Sequence, residues 1–456
     1  MSRVAETTFR VMSLQPTGPV LVGFSGGLDS TVLLHWLAGQ AAFRERGLRA
    51  LHVQHDLHPD AGAWTEHCRG NCAALGIELL IAQVQVPRLG GLGLEGAARE
   101  VRHEAFAQQL RQGETLALAH HQDDQAETVL LRLLRASGSE GLGAMRERRP
   151  FAAGWLWRPL LQVPRAQLLG YAAEHRLRWI DDPSNADQGF DRNLLRHRIL
   201  PALRERWPQA DAALARSATL LAEDAGLLRD EARKRLGQVR TPEAVTLSVT
   251  ALLALERPWR TRVLREWLTE LQVPALPGHA FETIDSNLLA ARDDAGAEYQ
   301  WAGQVLRRWR DWLHVEPLRD PLPPGWRCSW DGSGRLQLAT GDSLHFARTR
   351  PQPDAPTFNS EIRAGVDEPL GNFIVCSRTG GERIRLPGRA HSHALKQCLQ
   401  DAGMPPWVRR RLPLLLAEDG ALLAAGEQLL SAQFKQWCED RFVQLVWTQC
   451  SGAATI

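Results

Sequence analysis

Ser25-Gly26-Gly27-Leu28-Asp29-Ser30 is the stretch that decides the fold of this chain. The apolar run at 20–24 precedes it and is typical of a buried parallel strand. The apolar spacing of residues 31–37, which follow it, predicts a helix. Paired glycines let several backbone N–H groups point at one oxyanion, and a helix N-terminus adds partial positive charge. The sequence therefore predicts a phosphate-binding turn between a strand and a helix.

This turn lacks the lysine of the Gly-x4-Gly-Lys-Ser/Thr loop found in common nucleoside triphosphatases. Its absence favours a site that holds a departing pyrophosphate over one that transfers a γ-phosphate. An ordinary glycine-rich turn is the alternative interpretation.

Strand and helix signals alternate over the first 200 or so residues. This alternation predicts an α/β fold with a doubly wound, mostly parallel sheet and with ligands at the carboxyl ends of the strands. We expect a first domain at 1–208, a helical middle domain at 209–312, a linker with short strands at 313–371 and a small α+β C-terminal domain at 372–456. The expected strands are 19–24, 48–53, 77–86 and 115–119, and the expected helices are 30–40, 61–75, 95–111 and 122–135.

A second group of polar residues, His120-His121-Gln122-Asp123-Asp124-Gln125-Ala126-Glu127-Thr128, follows the last of these strands. On a helix that begins near 122, Asp124 and Glu127 share one face. Crowded carboxylates repel one another, so the pair needs a cation, which could be Mg²⁺, an arginine or a substrate ammonium. A solvated acidic helix start, favoured by the helix dipole, is the alternative.

The composition of the chain argues against a membrane-spanning protein. The chain has 456 residues, 44% of them hydrophobic and 23% charged, and its apolar runs are far shorter than a membrane span. No signal peptide is apparent at the N-terminus. The seven cysteines are scattered and odd in number, which suits a reducing compartment, so we expect a cytoplasmic location and no membrane partner.

Basic residues are concentrated in two places. Arg192 and Arg196 are four residues apart and fall on one face of a predicted helix. Residues 378–411 contain eight basic residues against two acidic ones, an excess that favours contact with phosphates.

Together these motifs resemble those of the bacterial tRNA(Ile)-lysidine synthetase family, within the N-type ATP pyrophosphatase (PP-loop) superfamily. The loop Ser25–Ser30 matches the signature of the whole superfamily, whereas the run that contains Asp124 and Glu127 is typical of far fewer enzymes. The other matching stretches are Asp182-Pro183-Ser184-Asn185, Arg192-Asn193-x-x-Arg196, Gly388-Arg389, Leu395-Lys396 and Pro405-Pro406-Trp407-x-Arg409. Departures from the family pattern lie at Gln54, Asp56 and His103.

The resemblance implies that ATP, L-lysine and the wobble cytidine of a CAU-anticodon tRNA(Ile) react through an adenylated cytidine. The products are lysidine, AMP and pyrophosphate, and the tRNA changes from methionine to isoleucine identity. The oligomeric state stays open, and a homodimer is one assembly that it allows.

The resemblance also implies residue roles. Ser25, Gly26, Gly27, Leu28, Asp29 and Ser30 would bind ATP, with Asp29 also the ligand of Mg²⁺. Asp124 and Glu127 would hold the lysine ammonium, and one of them would act as the base. Arg192 would stabilise charge, and His120 is a further catalytic candidate in the same pocket. The residues implied to bind tRNA are Arg196, Arg389, Lys396, Trp407 and Arg409.

Two other functions remain as alternatives. Another PP-loop enzyme, such as a tRNA thiolase, would share the loop, but the sequence has no Cys-x-x-Cys pair. A tRNA-binding protein without catalysis would not need the loop and the acidic pair together.

Overall fold

The computed structural model describes residues 15–55, 59–87, 93–183, 189–291, 297–349, 366 and 368–449. Asp56, Ser184 and Asn185 of the sequence motifs lie outside these residues. The chain divides into two compact units, Met1–Asp230 and Glu231–Ile456.

The first unit is built on a six-stranded sheet in the order β3-β2-β1-β4-β6-β5. All neighbouring strands are parallel except the edge pair β5 and β6, which is antiparallel. The order reverses direction at β1 and β4, so the carboxyl ends of these two strands border the crevice where such sheets bind ligands. The strands are β1 Val20–Gly23, β2 Leu48–His55, β3 Glu78–Val84, β4 Thr115–Ala117, β5 Arg148–Phe151 and β6 Gly154–Trp157.

Helices cover both faces of this sheet, because its strands are apolar on both sides. One face packs Val20, Val22 and Trp157 against helices α1 and α7, and the other packs Leu21 and Leu156 against α4. The helices are α1 Leu28–Ala38, α2 Ala41–Arg46, α3 Ala61–Leu75, α4 Gly93–Gln109, α5 Gln122–Leu134, α6 Ser139–Leu142, α7 Arg165–Glu174, α8 Asp191–Leu194, α9 Leu200–Arg206 and α10 Ala210–Val239, with a π-turn Leu195–Ile199 between α8 and α9.

The doubly wound, mostly parallel α/β fold is confirmed, and all four expected strands form. The β5–β6 hairpin was not expected. Its strands have four residues each and β5 contains Pro150, so neither gives a clear alternating pattern.

The second unit begins with a middle region that combines helices with an antiparallel sheet in the order β7-β10-β9-β8. The helical character expected for 209–312 is present, but the sheet was missed because β7 has only three residues and β8 only four. The elements are β7 Thr246–Ser248, α11 Val249–Ala254, α12 Arg257–Glu270, α13 Ala280–Thr283, a π-turn Ile284–Leu289, β8 Glu298–Trp301, β9 Gln304–Trp309 and β10 Trp312–Pro317.

The rest of the second unit contains a five-stranded sheet, β11-β14-β17-β18-β19, a three-stranded sheet, β12-β13-β20, and the hairpin β15-β16. Two strands inside the expected linker 313–371, β11 and β13, pair with strands of the C-terminal segment, and a third, β12, pairs with β13. The elements are β11 Arg327–Trp330, β12 Arg335–Gln337, β13 Ser343–Arg348, β14 Phe373–Cys376, β15 Arg383–Ile384, β16 His393–Ala394, α14 Leu395–Asp401, α15 Pro406–Arg411, β17 Leu414–Leu416, β18 Leu422–Ala425, β19 Leu429–Leu430, α16 Ala432–Arg441 and β20 Val443–Thr448.

A buried ion pair fixes the amino-terminal edge of the first sheet. Arg49 Nε and Nη2 donate to the two carboxylate oxygens of Glu114 at 2.8 and 2.6 Å, and the backbone N of Arg111 donates to the same carboxylate. Burial alone would raise the pKa of Glu114, but these hydrogen bonds lower it below its ordinary value. The pair therefore holds its charge inside the protein.

We predict that Glu114→Gln lowers the free energy of unfolding of the first unit by about 3 kcal/mol, because it leaves the Arg49 charge buried without a partner. Urea unfolding followed by tryptophan fluorescence measures this. The control is Glu66→Gln, which removes an exposed partner of Arg69 and should change the same quantity by less than about 0.5 kcal/mol. Equal effects of the two substitutions would contradict the role given to Glu114.

Candidate active site

The predicted phosphate loop lies at the carboxyl end of β1 and leads into α1. Ser25 Oγ and Ser30 Oγ are 3.0 Å apart, and Ser30 Oγ also contacts the carbonyl oxygen of Gly27 at 3.1 Å. These contacts close the loop into a turn with its serine hydroxyls on one side. Gly27 precedes the first residue of α1, so the loop presents the start of a helix to its ligand.

Gly26 is required by the backbone of this turn. Its φ is +82°, and an added Cβ would lie 2.8 Å from Ile180 Cδ1 and 2.9 Å from Cys68 Sγ. The carbonyl oxygen of Gly26 also accepts a hydrogen bond from the backbone N of Ile180. The glycine therefore allows the segment before Asp181 and Asp182 to pack directly behind the loop.

Two acidic and two basic side chains form a closed network beside this loop. Arg192 donates through Nε to Glu127 at 2.6 Å and through Nη2 to Asp124 at 3.0 Å. Arg196 does the same at 2.6 and 2.9 Å. Glu127 is fully buried and Asp124 nearly so. The cation that the crowded carboxylates require is thus supplied by two arginines, and Arg196, an expected tRNA ligand, lies inside this network.

Two segments of secondary structure bring both arginines into contact with the acidic pair. Asp124 and Glu127 lie in the first two turns of α5, directly after β4. Arg192 lies in α8 and Arg196 in the π-turn that follows. Since π-turns often occur at functional sites, this winding is consistent with a site built for chemistry.

His121 joins the network to the phosphate loop. Its Nε2 is 3.5 Å from Asp29 Oδ2 and 3.5 Å from Asp124 Oδ2, and its Nδ1 is 3.8 Å from Asp123 Oδ1. Burial alone would lower the pKa of His121, but these carboxylates raise it above its ordinary value. An imidazolium here therefore bridges the loop carboxylate and the acidic pair.

His120, which the sequence favoured over its neighbour, lies in the same segment between β4 and α5 but has different partners. Burial lowers its pKa to about 3, and Arg158 and Arg192 contribute to that shift although Asp124 opposes it. Arg158 Nε donates to His120 Nδ1 at 3.3 Å. His120 is therefore neutral and accepts a proton at Nδ1 only with difficulty, which fits a positioning role better than a role as a base.

Asp29 is the residue best placed to hold a metal ion near the loop. Its Oδ1 is buried and has no hydrogen-bond partner among the described residues. Within the same part of the chain, no group of three or more His, Cys, Asp or Glu side chains could hold a metal ion. A Mg²⁺ ion at Asp29 would thus take its other ligands from phosphate oxygens and water, as Mg²⁺ commonly does.

The expected tRNA-binding residues of the C-terminal segment fall into two groups. Arg389 and Lys396 are exposed. Trp407 and Arg409 are half-buried against the middle sheet: the ring of Trp407 stacks on His314 with centroids 6.2 Å apart, and Arg409 lies over the Trp309 ring and donates to Met404 O at 2.6 Å. These two side chains take part in packing.

A buried carboxylate stands beside this packing. Glu316 contacts Arg307, and Arg411 Nη2 donates to it at 3.0 Å. Burial alone would raise the pKa of Glu316, but His314 and the two arginines lower it to about 2. Arg411 is therefore a structural residue of the basic run rather than an exposed one.

Two departures from the family pattern have clear places in the structure. Gln54 accepts a hydrogen bond from Thr65 Oγ1 at 3.1 Å, which ties β2 to α3. His103 packs its ring on Phe151, and burial with nearby arginines lowers its pKa to about 4. Neither belongs to the acid–arginine network.

His121 is the residue of the site that sequence reasoning missed. The two histidines are adjacent, so composition and spacing do not distinguish them. The alternation of side chains along a strand does not distinguish them either, because β4 ends at Ala117 and both histidines follow it. The roles given to Asp29, Asp124, Glu127, Arg192 and His120 stay predictions.

The fold and the loop define a class: a PP-loop nucleotide-binding enzyme with its site at the switch point of a parallel sheet. Residues 2–203 match the family described as "PP-loop domain", residues 247–314 the "TilS substrate binding domain", and residues 373–447 the "TilS substrate C-terminal domain".

Similar proteins cover almost the whole chain. A tRNA(Ile)-lysidine synthase of Xanthomonas axonopodis pv. citri is 48% identical over 96% of this chain and 96% of its own. Proteins of the same name are 48% identical in Xylella fastidiosa, over 95% of both chains, and 37% identical in Methylococcus capsulatus, over 98% of this chain and 100% of the other. The chain belongs to the tRNA(Ile)-lysidine synthase family, as the motifs led us to expect.

We predict that His121 stabilises the first unit at low pH more than at high pH. Its pKa is raised by folding, so the stabilisation is complete below the unfolded value and is lost as pH rises through the folded one. The difference in unfolding free energy between wild type and His121→Gln should therefore shrink as pH rises above the ordinary histidine pKa of about 6.5. Urea unfolding across this range measures it, with the exposed His391→Gln as the control. A difference that grows with pH would show that His121 is neutral when folded.

Proposed function

We propose that this chain joins L-lysine to the wobble cytidine of a CAU-anticodon tRNA(Ile), through an adenylated cytidine, with release of AMP and pyrophosphate. The coarser statement follows from the family: the chain is an ATP-dependent, tRNA-modifying ligase that forms lysidine on tRNA(Ile). The observation that supports the finer proposal is the buried acidic pair Asp124 and Glu127, which binds cationic side chains directly beside the phosphate loop.

The loop suits the first half of the reaction. The carbonyl oxygen of cytosine is a poor leaving group, and adenylation converts it into AMP, which is a good one. Pyrophosphate has to be held as it departs, and Ser25–Ser30 offers hydroxyls and a helix start for this purpose. A Mg²⁺ ion, held by Asp29, would supply charge to offset that of the phosphates.

The acidic pair suits the second half. The ε-amine of lysine has an ordinary pKa of about 10.4, so it arrives protonated and must lose a proton before it attacks. Carboxylates select the ammonium, and a lysine that enters here competes with Arg192 and Arg196 for the same oxygens. Arg192, once displaced, is available to stabilise negative charge on the activated base or phosphate.

The division of work between the two carboxylates follows from their surroundings. Burial alone would raise the pKa of Asp124, but His121 and Arg192 lower it well below its usual range. A carboxylate of such low basicity holds an ammonium well and accepts its proton poorly. We therefore assign ammonium binding to Asp124.

The RNA partner is expected to contact the second unit. Lys396 and Arg389 are exposed and lie in the segment with the basic excess. The cytidine itself has to turn out of the anticodon stack to reach the carboxyl edge of the first sheet. No helix among the described residues is long and apolar enough to cross a membrane. A cytoplasmic location and a homodimer stay predictions.

The cysteines argue against the alternative of tRNA thiolation. Cys68 and Cys72 are buried, and burial raises the pKa of Cys68 to about 12 and that of Cys72 to about 11. Thiols that are this hard to deprotonate are poor sulfur carriers or nucleophiles.

We predict that Asp124→Asn abolishes lysidine formation while tRNA affinity stays near that of wild type, because the amide keeps the shape of the side chain but loses the charge that binds the ammonium. Mass analysis of nucleosides from treated tRNA(Ile), with ATP and lysine present, measures the product. Release of AMP and pyrophosphate should require both tRNA and lysine in the wild-type protein.

The control for this experiment is Glu140→Gln, an exposed carboxylate in the same unit that pairs with Arg229. It should leave turnover unchanged. Turnover at the wild-type rate in Asp124→Asn would remove Asp124 from the mechanism.

We predict that Lys396→Ala weakens tRNA binding and reduces the slope of log affinity against log salt by about 0.7–0.9, as expected for one lost phosphate contact. Arg409→Ala should also lower the melting temperature, because Arg409 packs on Trp309. Filter binding across a salt series and thermal unfolding measure the two effects. Lys435→Ala, which removes a lysine paired with Glu439, is the control. An unchanged slope in Lys396→Ala would show that this lysine does not contact a phosphate of the tRNA.

A further inference from the structure

Three arginines of the first unit have no acidic partner among the described residues, and one of them, Arg158, is buried. Across the described ranges, no carboxylate forms an ion pair with Arg132, Arg149 or Arg158. Arg158 is only 4% exposed, and its donors reach His120 Nδ1 and the carbonyl oxygen of Arg146. A buried cation usually has a counter-charge, so this group differs from the paired arginines of the neighbouring network.

The sheet register places two of these side chains on one face. Arg149 on β5 pairs with Leu156 on β6, so the two share a face, and Leu156 belongs to the core cluster that contains Phe106 of α4. Arg158 is two residues beyond Leu156, and its backbone N continues the ladder to Glu147 O. Arg158 therefore also faces α4.

The positive charges of these arginines affect one another's pKa. Burial lowers the pKa of Arg158 to about 10, with Arg149, Arg99 and Arg132 adding to the shift. Burial and Arg99 also lower the pKa of Arg132 and of Arg149. Each guanidinium thus raises the cost of charging the next, and a bound anion would relieve all of them at once.

The cluster lies next to the reacting groups but apart from the phosphate loop. His120 touches Arg158 on one side and interacts electrostatically with Asp124 on the other. The loop follows β1, whereas Arg158 follows β6, which is two strands away in the order β1-β4-β6. Two strand spacings amount to about 10 Å, so the backbone of Arg158 is separate from the loop expected to hold pyrophosphate.

We propose that Arg149 and Arg158 form a second phosphate site, which binds a phosphodiester of the tRNA backbone beside the cytidine that is modified. This inference rests on the proposed function for the identity of the RNA. Arginine is suited to the task, because its planar donors match phosphate oxygens and remain charged. A phosphate of the nucleotide is the other source of the same chemistry, and the experiment separates the two.

The test compares Arg149→Gln with Arg148→Gln in the full chain. Arg148 is the matched control, because it is adjacent on the same strand, pairs with Trp157 on the opposite face and stacks over Trp155 at 4.4 Å. For Arg149→Gln we expect tRNA affinity at low salt to fall about tenfold, as for a lost hydrogen bond to a charged group. The salt slope should fall by about 0.7, and the KM for ATP should not change. Arg148→Gln should alter none of these.

A third variant, Arg149→Lys, keeps the charge and should retain part of the tRNA affinity, which a purely structural role of the guanidinium would not predict. A raised KM for ATP or weaker pyrophosphate inhibition, with tRNA affinity unchanged, would overturn the RNA assignment in favour of the nucleotide. Unchanged tRNA binding and unchanged nucleotide kinetics would overturn the phosphate site altogether. Lysidine formation by the wild-type protein is measured separately, so failure of the proposed function is distinguishable from failure of this site.

Discussion

The pairing of Asp124 and Glu127 with Arg192 and Arg196 is the constraint on which the site depends. Four charges lie in a largely buried space, and removing any one of them would leave a charge without compensation. The network joins α5, which directly follows a strand of the sheet, to α8 and the π-turn. These two elements lie in the helical part of the unit. The network therefore fixes the local fold and also keeps Asp124 ionised.

If lysine binds to Asp124 and Glu127 as proposed, the resting protein already contains an imitation of its substrate. A guanidinium occupies each carboxylate in the way that a lysine ammonium would. Substrate binding is thus an exchange of one cation for another, and the net charge of the pocket changes little. Selectivity then depends on which cation fits the space, because all of them satisfy the charge.

The sequence could predict the N-terminal fold because the strand, loop and helix patterns all indicated the same structure. The strand Val20–Gly23 is apolar on both sides, the loop has paired glycines, and the helix that follows has apolar spacing. The same consistency placed Asp124 and Glu127 on one helix face after β4. It failed for β7 and for the β5–β6 hairpin, whose strands are too short to show a period and are set by long-range pairing.

The side chains that sequence could not assign are those whose role depends on a distant partner. Arg409 and Lys396 are equally basic in the sequence, but Arg409 lies on Trp309, nearly a hundred residues earlier in the chain, and Lys396 faces solvent. His120 and His121 are adjacent in the sequence, but His120 contacts Arg158 and His121 lies near Asp29. Charge and composition predict that a segment binds an anion, but they do not show which of its basic residues already pack against other parts of the protein.

The π-turn Leu195–Ile199 makes chain length, rather than residue identity, the sensitive quantity in this region. A π-turn holds about one residue more than a turn of α-helix, so loss of one residue would change the winding of the chain between α8 and α9. Arg192 would keep its place, but Arg204 of α9 would leave Asp123 and Asp211, with which it pairs. A one-residue deletion here would therefore separate two ends of the site that no single substitution would move together.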